Sequence, residues 1–195
     1  MGTKLTIQGG WLKPCRKLIS PNQDERPNGE ISLLVIHAIS LPPGEFGGQY
    51  IDQLFTNRLD SKAHPYFAEI AELKVSAHLL IDRQGRLTQY VPFHRRAWHA
   101  GVSSFQGRER CNDFSIGIEL EGTETIPFTD AQYRILAAVT ILLLAKYSEL
   151  SQERIVGHSD IAPGRKTDPG PSFDWKRLYQ SLQRHTNHRL NRTKK

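Results

Sequence analysis

The segment RIVGHSDIAPGRKTDPG, residues 154–170, decides how the chain must fold around its most reactive side chains. Its two prolines lack a backbone N–H and its three glycines favour turns, so regular secondary structure cannot run through the whole segment. The apolar pair Ile155–Val156 predicts a short strand just before it. We therefore expect His158 at a strand end, followed by a rigid loop that folds back and brings Asp168 to the same point.

His37 is the candidate for a third ligand beside these two. It ends the run SLLVIH, residues 32–37, the most strand-like apolar segment near the start of the chain. Two imidazoles and one carboxylate leave a zinc ion one open position for water, as in zinc hydrolases. Spacing alone leaves a second interpretation open, because a histidine at a strand end is more often a hydrogen-bonded structural residue than a ligand.

A rival metal site lies within the same loop. His158 and Asp160 form an H-x-D pair, which is typical of iron sites with two histidines and one carboxylate. That site needs a later histidine on a strand, and the later ones, His185 and His188, lie in a basic end that we expect to be unfolded. We interpret Asp160 as a turn-forming or orienting residue.

Three segments of the chain closely resemble one known family. They are VIHAISLPPGEFGG (35–48), RAWHAGVSSFQGRERCNDFSIGIELEGT (96–123) and GHSDIAPGRKTDPGPSFDW (157–175). Over about residues 10–178 the chain is similar to the cytoplasmic 1,6-anhydro-N-acetylmuramyl-L-alanine amidases of peptidoglycan recycling. The resemblance implies that His37, His158 and Asp168 hold zinc. Phage-type zinc amidases and peptidoglycan recognition proteins share this fold, so the fold alone does not fix the substrate.

Two further residues acquire catalytic roles from the resemblance. On the predicted strand Phe114–Leu120, Glu119 lies on the face opposite the apolar row, where a glutamate is usually solvated. The apolar row consists of Phe114, Ile116, Ile118 and Leu120. The resemblance implies instead that Glu119 sits beside the zinc, orients the attacking water and carries its proton to the leaving nitrogen. Lys166, otherwise a surface lysine in a loop, is implied to stabilise the oxyanion.

The resemblance also implies a set of substrate contacts. They are Arg110, Asn112, Lys74, His78, Trp98 and His99. Two positions depart from the family: Ala38 stands where members usually have Asn, and Lys74 where they have Arg. Lysine cannot reproduce the bidentate grip of arginine on a carboxylate, so either affinity or peptide preference is expected to differ. The segment 40–76 is interpreted as a cover over the groove, with a plain surface excursion as the alternative.

The order of predicted elements indicates the fold class. The chain has 195 residues, which suits one domain with its own core. We predict strands at 33–37, 77–81, 87–91, 114–120 and 155–156, and helices at 50–55, 130–145 and 174–183. Thr129 and Gln132 have the spacing of a capping box before the long helix, whose apolar row is predicted to be Ala131, Ile135, Ala138, Leu142 and Ala145. Interleaved strands and helices predict an α/β domain, a central mixed β-sheet flanked by helices.

The charge distribution and the apolar segments of the chain indicate which partners and which compartment to expect. The formal net charge is +6, and five of the positive charges lie in residues 184–195, which contain no acid. We expect an amidase domain at 1–183, a basic disordered tail at 184–195, and no nucleic-acid partner. Residues 1–20 hold no apolar signal segment, and the apolar run 137–145 is too short to span a bilayer. We therefore expect a cytoplasmic protein without a membrane partner.

The two cysteines also bear on the compartment and on the chemistry of the protein. Cys15 and Cys111 are far apart in a chain without an export signal, so we expect free thiols, with a cysteine nucleophile as the less favoured alternative. The function predicted is that of a monomeric zinc amidase that cleaves the bond between the lactyl group of anhydro-muramic acid and L-Ala of a soluble anhydro-muropeptide. The alternatives are an amidase acting on intact cell wall and a non-catalytic binding module.

Overall fold

The chain folds around one mixed β-sheet, which confirms the predicted fold class. The structure, a computed structural model, describes the backbone of residues 5–192 and the side chains of residues 5–184. The strands are β1 (Thr6–Gln8), β2 (Trp11–Lys13), β3 (Arg16–Lys17), β4 (Gln23–Glu25), β5 (Leu33–Ile39), β6 (Leu79–Ile81), β7 (Leu87–Gln89), β8 (Arg95–Ala97), β9 (Ser104–Phe105), β10 (Arg108–Glu109), β11 (Ser115–Glu121) and β12 (Ile155–Gly157). The α-helices are α1 (Tyr50–Phe55), α2 (Phe67–Ile70), α3 (Asp130–Lys146), α4 (His158–Ile161) and α5 (Trp175–Arg192), with short 3₁₀ turns at Cys111–Asp113 and Gln152–Arg154.

The main sheet has six strands in the order β12-β5-β11-β6-β7-β3. The neighbours from β12 to β6 run parallel, β6 and β7 form an antiparallel hairpin, and β3 joins β7 in parallel. Three small antiparallel pairs, β1–β2, β4–β8 and β9–β10, lie outside this sheet. Because parallel strands end at the same edge, the carboxyl ends of β5, β11 and β12 meet, which is where open α/β sheets form their sites.

The two faces of the central strands carry different side chains. In β5, Leu34 and Ile36 join the large apolar core beneath α3 and α5, whereas Val35 belongs to a separate buried cluster on the other face. Alternation along the strand puts His37 on the face of Val35. Both faces of β11 are covered, so every residue of that strand is buried, including those on its polar face. The predicted apolar row loses Phe114, which lies before the strand at the end of a 3₁₀ turn and packs in the cluster of Val35.

Helix α3 begins as predicted, but its buried face is a different one. The Oγ1 atom of Thr129 accepts a hydrogen bond from the Gln132 amide at 3.1 Å, and the Gln132 side chain accepts one from the Thr129 amide at 3.0 Å, which confirms the capping box. The buried residues are Gln132, Tyr133, Leu136, Ala137, Val139, Thr140 and Leu143, whereas Ala131, Ile135, Ala138, Leu142 and Ala145 are half-buried or exposed. The predicted row is wrong because the helix is apolar on most sides and polar Gln132 faces inward, donating to the carbonyls of Ile81 and Glu121.

Helix α5 is longer than its sequence prediction. The predicted end at residue 183 is wrong, because residues 184–192 contain no glycine or proline to stop the helix and it continues to Arg192. Residues 193–195 of the predicted basic tail lie outside the described residues, and the division into 1–183 and 184–195 stays a prediction. Among the described residues, no helix combines the length and the apolar character needed to cross a bilayer.

The segment 40–76 packs over the same sheet face as His37. Its helices α1 and α2 contribute Leu54, Phe55 and Phe67 to a cluster that also holds Tyr90 and Leu80. Leu80 pairs with Glu119 across β6 and β11, so the two side chains share this face. The segment therefore shares a buried core with the sheet and is more than a surface excursion.

Candidate metal centre and active site

The loop that follows β12 folds back over its own start, as the sequence predicts. His158 opens the short helix α4, and the Ser159 amide donates to the Asp168 carbonyl at 2.9 Å. The Asp160 carboxylate accepts from the Gly157 amide at 2.7 Å, so Asp160 forms the turn, which agrees with its predicted role. These bonds hold Asp168 close to His158 although ten positions separate them.

Three side chains meet with their ligand atoms in a tight triangle. The Nδ1 atom of His37 lies 3.0 Å from Nδ1 of His158 and 3.1 Å from Oδ2 of Asp168, and Nδ1 of His158 lies 3.2 Å from the same oxygen. Four ligand atoms about 2.0 Å from a tetrahedral zinc ion would stand about 3.3 Å apart. The three residues thus have the spacing of a tetrahedral metal site with one position left open.

The outer ring nitrogens support the same interpretation. The Nε2 atom of His158 lies 3.1 Å from the Ala100 carbonyl, so it must donate its proton there, and Nδ1 is left with a lone pair. The Nε2 atom of His37 lies 2.9 Å from Nδ1 of His99. Burial lowers the pKa of His37 to about 4, so its ring is neutral at pH 7. Two imidazoles and a carboxylate that converge in this way are the donor set preferred by zinc, and the residues present fit that ion.

Glu119 stands next to the triangle on a rigid strand. It pairs with His37 in the parallel register of β11 and β5, so both side chains point to the same face. Glu119 is only 8% exposed, and its Oε2 atom has no hydrogen-bond partner within the described part of the chain. Burial raises the pKa of Glu119 well above its ordinary value, the charge of Asp168 raises it further, and Lys166 opposes the shift. A buried carboxyl group whose pKa is raised in this way is suited to take up and release a proton.

Lys166 reaches the same cavity from the loop. The cavity has a volume of about 530 Å³, and its lining includes the triangle, Glu119 and Lys166. The Lys166 amide donates to the Ala162 carbonyl at 3.0 Å, which fixes the loop backbone, while the side chain is exposed. The structure therefore brings together all five residues that the sequence analysis assigned to metal binding and catalysis.

The segment 40–76 forms one wall of this cavity. Its residues Leu41, Pro43, Tyr66 and Val75 all contribute to the lining. This arrangement agrees with the predicted cover. Ala38, the departure from the family pattern next to His37, also lines the cavity.

The predicted substrate contacts divide into two groups. Trp98 and His99 line the cavity. Lys74 is exposed outside its lining, and Arg110 is 71% exposed, adopts a left-handed backbone with φ of 62° and pairs with Asp113 at 3.2 Å. Contacts of Lys74 and Arg110 with substrate therefore stay predictions.

His78 and Asn112 do not line the cavity. His78 is 0% exposed, accepts from the Gly117 amide at 3.0 Å and contacts the Arg95 carbonyl at 3.1 Å, so the predicted direct contact of His78 with substrate is corrected. The Oδ1 atom of Asn112 accepts from the amides of His99 and Ala100 at 3.1 and 2.8 Å. Both residues support the strand and the turn on which the site is built.

Sequence reasoning missed two arginines that organise the site. Arg26 is buried, donates to the carbonyls of Asn112 at 3.1 Å and Ser115 at 2.7 Å, and burial lowers its pKa to about 10. Arg165 donates to the carbonyls of Ala100 and Val102 at 2.6 and 2.7 Å, and these bonds connect the loop after β12 to residues 100–102. Neither arginine stands in a local pattern that distinguishes it from a solvated one, so only the tertiary contacts reveal them.

Comparison with known proteins agrees with this geometry. The family described as N-acetylmuramoyl-L-alanine amidase matches residues 27–171. The 1,6-anhydro-N-acetylmuramyl-L-alanine amidase AmpD of Escherichia coli strain K12 is 60% identical over 183 residues, which are 93% of this chain and 100% of that protein. A crystal structure of a selenomethionine derivative of AmpD superposes with a TM-score of 0.89 at 61% identity, covering 91% of this chain and 99% of that one.

A more distant structure contains a bound substrate. The amidase AmiD of E. coli, in complex with anhydro-N-acetylmuramic acid-L-Ala-D-gamma-Glu-L-Lys, matches with a TM-score of 0.57 at 30% identity. The match covers 91% of this chain and 65% of the AmiD chain.

Proposed function

The chain belongs to the N-acetylmuramoyl-L-alanine amidase family and is an amidase, and from this premise we propose its metal, substrate and mechanism. The substrate proposed is a soluble anhydro-muropeptide, cleaved between the lactyl group of 1,6-anhydro-N-acetylmuramic acid and L-Ala, with zinc as cofactor, in peptidoglycan recycling. The proposal rests on one observation: a single cavity is lined by the possible metal ligands and by two further charged residues. The possible ligands are His37, His158 and Asp168, and the further residues are Glu119 and Lys166. The name of the relative that matches over its full length supports the substrate.

The proposed metal ligands are His37, His158 and Asp168. Zinc held there supplies Lewis acidity, which lets water act as a nucleophile at neutral pH. All three ligands are fixed by the end of β5 and by the loop after β12, so the geometry exists before substrate arrives. Such preorganisation is what a hydrolytic site needs.

The proton transfers are assigned to Glu119. Its raised pKa and lack of a hydrogen-bond partner among the described residues fit a group that accepts a proton from the attacking water and returns it to the departing nitrogen. The water oxygen bonds to the carbonyl carbon, the C–N bond breaks, and the amine of L-Ala leaves with that proton. Lys166 provides a positive charge for the carbonyl oxygen as it becomes negative.

The cavity fits a substrate with a sugar and a peptide. Trp98 contributes an aromatic ring to the lining of the cavity, and apolar residues of the segment 40–76 line the same cavity. We assign Trp98 and His99 to the substrate side of the cavity. Lys74 and Arg110, exposed outside the lining, are kept as candidates for the carboxylates of the stem peptide.

We propose the cytoplasm as the compartment and a monomer as the active form. Cys15 and Cys111 are free thiols, as the sequence predicts, and unpaired cysteines fit a reducing compartment. A cytoplasmic amidase would meet soluble muropeptides, whereas intact wall lies outside the membrane.

The proposal is tested with three substrates and a chelator. The purified protein should hold about one zinc ion per chain by elemental analysis. It should release L-Ala-initiated peptide from anhydro-muropeptide far faster than from intact sacculi or from muropeptides with a reducing sugar end. Removal of zinc should abolish the release and added zinc should restore it. Equal rates on all three substrates would instead indicate a wall-degrading amidase, and binding without cleavage would indicate a recognition protein.

A further inference from the structure

Two consecutive residues contact the outer nitrogens of both histidine ligands. The side chain of His99 lies 2.9 Å from His37 through its Nδ1 atom, and the carbonyl of Ala100 lies 3.1 Å from Nε2 of His158. One short stretch of the chain, residues 99–100, therefore contacts two imidazoles whose positions in the sequence are 121 residues apart.

Asn112 fixes that stretch of backbone. Its Oδ1 atom accepts hydrogen bonds from the His99 amide at 3.1 Å and from the Ala100 amide at 2.8 Å. The Asn112 carbonyl in turn accepts from Nη1 of buried Arg26 at 3.1 Å. Since one oxygen takes both amides, a shift of Asn112 would move the partners of both metal ligands together.

The other side of the His99 ring is fixed by strand β11. The Nε2 atom of His99 lies 3.0 Å from Oγ of Ser115, which is fully buried. A Cβ atom added at Gly117 would lie 2.5 Å from Cγ of His99, so the ring occupies space that only a glycine leaves free. The ring is thus bonded at both nitrogens and packed flat on β11.

We propose that Asn112, His99 and Ser115 form a positioning layer that holds Nδ1 of His37 and of His158 toward the metal. When Nδ1 of His37 binds a cation, the ring must carry its proton at Nε2, and the hydrogen bonds then run from His37 to His99 and from His99 to Ser115. Hydrogen bonds to the outer nitrogen of a ligand histidine fix its orientation and raise its basicity. The inference rests on the proposed function in one respect, namely that zinc is the occupant of the site.

The first test needs no substitution. In the zinc-loaded, full-length protein, ¹⁵N-detected NMR of the histidine rings reports which nitrogen carries the proton. We expect His37, His99 and His158 all to be protonated at Nε2. A zinc-loaded protein in which His99 carries its proton at Nδ1 would overturn the proposed layer and leave the proposed function in place.

The second test measures zinc affinity by competition with a chromophoric chelator. His99→Leu and Asn112→Ala should each weaken the affinity about 10-fold to 100-fold, the range found when outer partners of metal ligands are removed. His99→Asn keeps an acceptor near the position of Nδ1 and should recover part of the loss. Ser115→Ala should weaken binding less than His99→Leu, because it removes only the last bond of the chain.

A matched control separates positioning from general destabilisation. Ser20 is also a fully buried serine whose hydroxyl makes hydrogen bonds, to the Phe55 carbonyl and from the Asn22 amide, but it has no contact with the triangle. Ser20→Ala should lower the melting temperature as Ser115→Ala does while leaving zinc affinity unchanged. Unchanged affinity in both His99→Leu and Asn112→Ala would refute the layer, and the NMR measurement decides if either variant fails to fold. A parent protein that binds no zinc would refute the proposed function and this inference together.

Discussion

Glu119 lies directly beside His37, on the neighbouring parallel strand of the main sheet and on the same face. The proposed proton-transfer group and one proposed metal ligand are thus held by two adjacent strands, which fix relative positions more precisely than loops do. Lys166 and Asp168 come from a loop, yet that loop is bonded to itself through Ser159 and Ala162. Some of these residues would hold the metal, and others would act on the substrate. Variants that are measured for both zinc content and activity can distinguish the two groups.

Glu119→Gln should leave the metal and remove most of the activity. The variant keeps the shape of the side chain but cannot accept a proton, so kcat should fall about 100-fold to 10,000-fold. Zinc content, measured by elemental analysis, should stay near that of the parent. Glu149→Gln, an exposed glutamate beyond the end of α3, serves as the control and should change neither quantity. Loss of zinc in Glu119→Gln would show that the carboxylate is a ligand.

Lys166→Ala tests the positive charge at the cavity. Loss of one group that stabilises an oxyanion typically costs about 100-fold to 1000-fold in kcat. Single-turnover measurements should show this decrease with zinc content unchanged. Lys146→Ala, which removes an exposed lysine from the last turn of α3, is the comparison and should have parental activity. Near-normal kcat in Lys166→Ala would mean that Lys166 is only a surface residue of the loop.

Asp168→Ala and Asp160→Asn discriminate between the two carboxylates of the loop. Asp168 contacts both histidines, whereas Asp160 accepts from the Gly157 amide and forms the turn into α4. Asp168→Ala should lose zinc and activity together, because two imidazoles alone bind the ion more weakly. Asp160→Asn should keep the zinc and lose only stability, seen as a lower melting temperature. The reverse result would favour the H-x-D site in place of the predicted one.

The sequence predicts those parts of the fold and of the site that depend on residues close together in the chain. Strand β5 is a continuous apolar run that ends near His37, and the glycines and prolines of residues 157–170 require a folded-back loop. The capping box of α3 is also visible, because Thr129 and Gln132 are only three positions apart. Choosing the ligands among several candidate histidines depended on family resemblance, since loop ligands have no fixed spacing.

What the sequence does not predict depends on contacts between distant segments. Arg26 contacts Ser115 across 89 positions, and no local pattern distinguishes it from a solvated arginine. Asn112 is a candidate for substrate contact in the sequence, while in the structure its side chain bonds the backbone of residues 99–100. The buried face of α3 is mispredicted for a related reason. Gln132 faces inward because its side chain donates to the carbonyls of Ile81 and Glu121, and the sequence of the helix alone does not show these partners.

The ion pair between Asp24 and Arg96 should make stability depend on pH. Arg96 Nη2 lies 2.6 Å from Asp24 Oδ2, and the same guanidinium pairs with Asp113, which follows Asn112 in the turn behind the metal site. The hydrogen bond from Arg96 is the largest cause that lowers the pKa of Asp24 below its ordinary value. The unfolded chain, with a pKa of about 3.9 at this residue, therefore binds the proton more readily.

Linkage gives the direction of the pH effect. A carboxyl whose pKa is depressed by folding contributes stability above the unfolded pKa, and the contribution is lost as pH falls below about 5 and through the folded value. Asp24→Asn should lower the free energy of unfolding at pH 7 by less than about 1 kcal/mol, because Asp24 is 39% exposed and solvent screens the pair. Urea unfolding of the zinc-free proteins at pH 7 and pH 3 measures both values, and the difference between variant and parent should shrink at pH 3. Glu25→Gln, at a side chain that is 90% exposed, should change little at either pH. A difference for Asp24→Asn that is equally large at pH 3 and pH 7 would mean that the side chain acts through neutral hydrogen bonds and not through its charge.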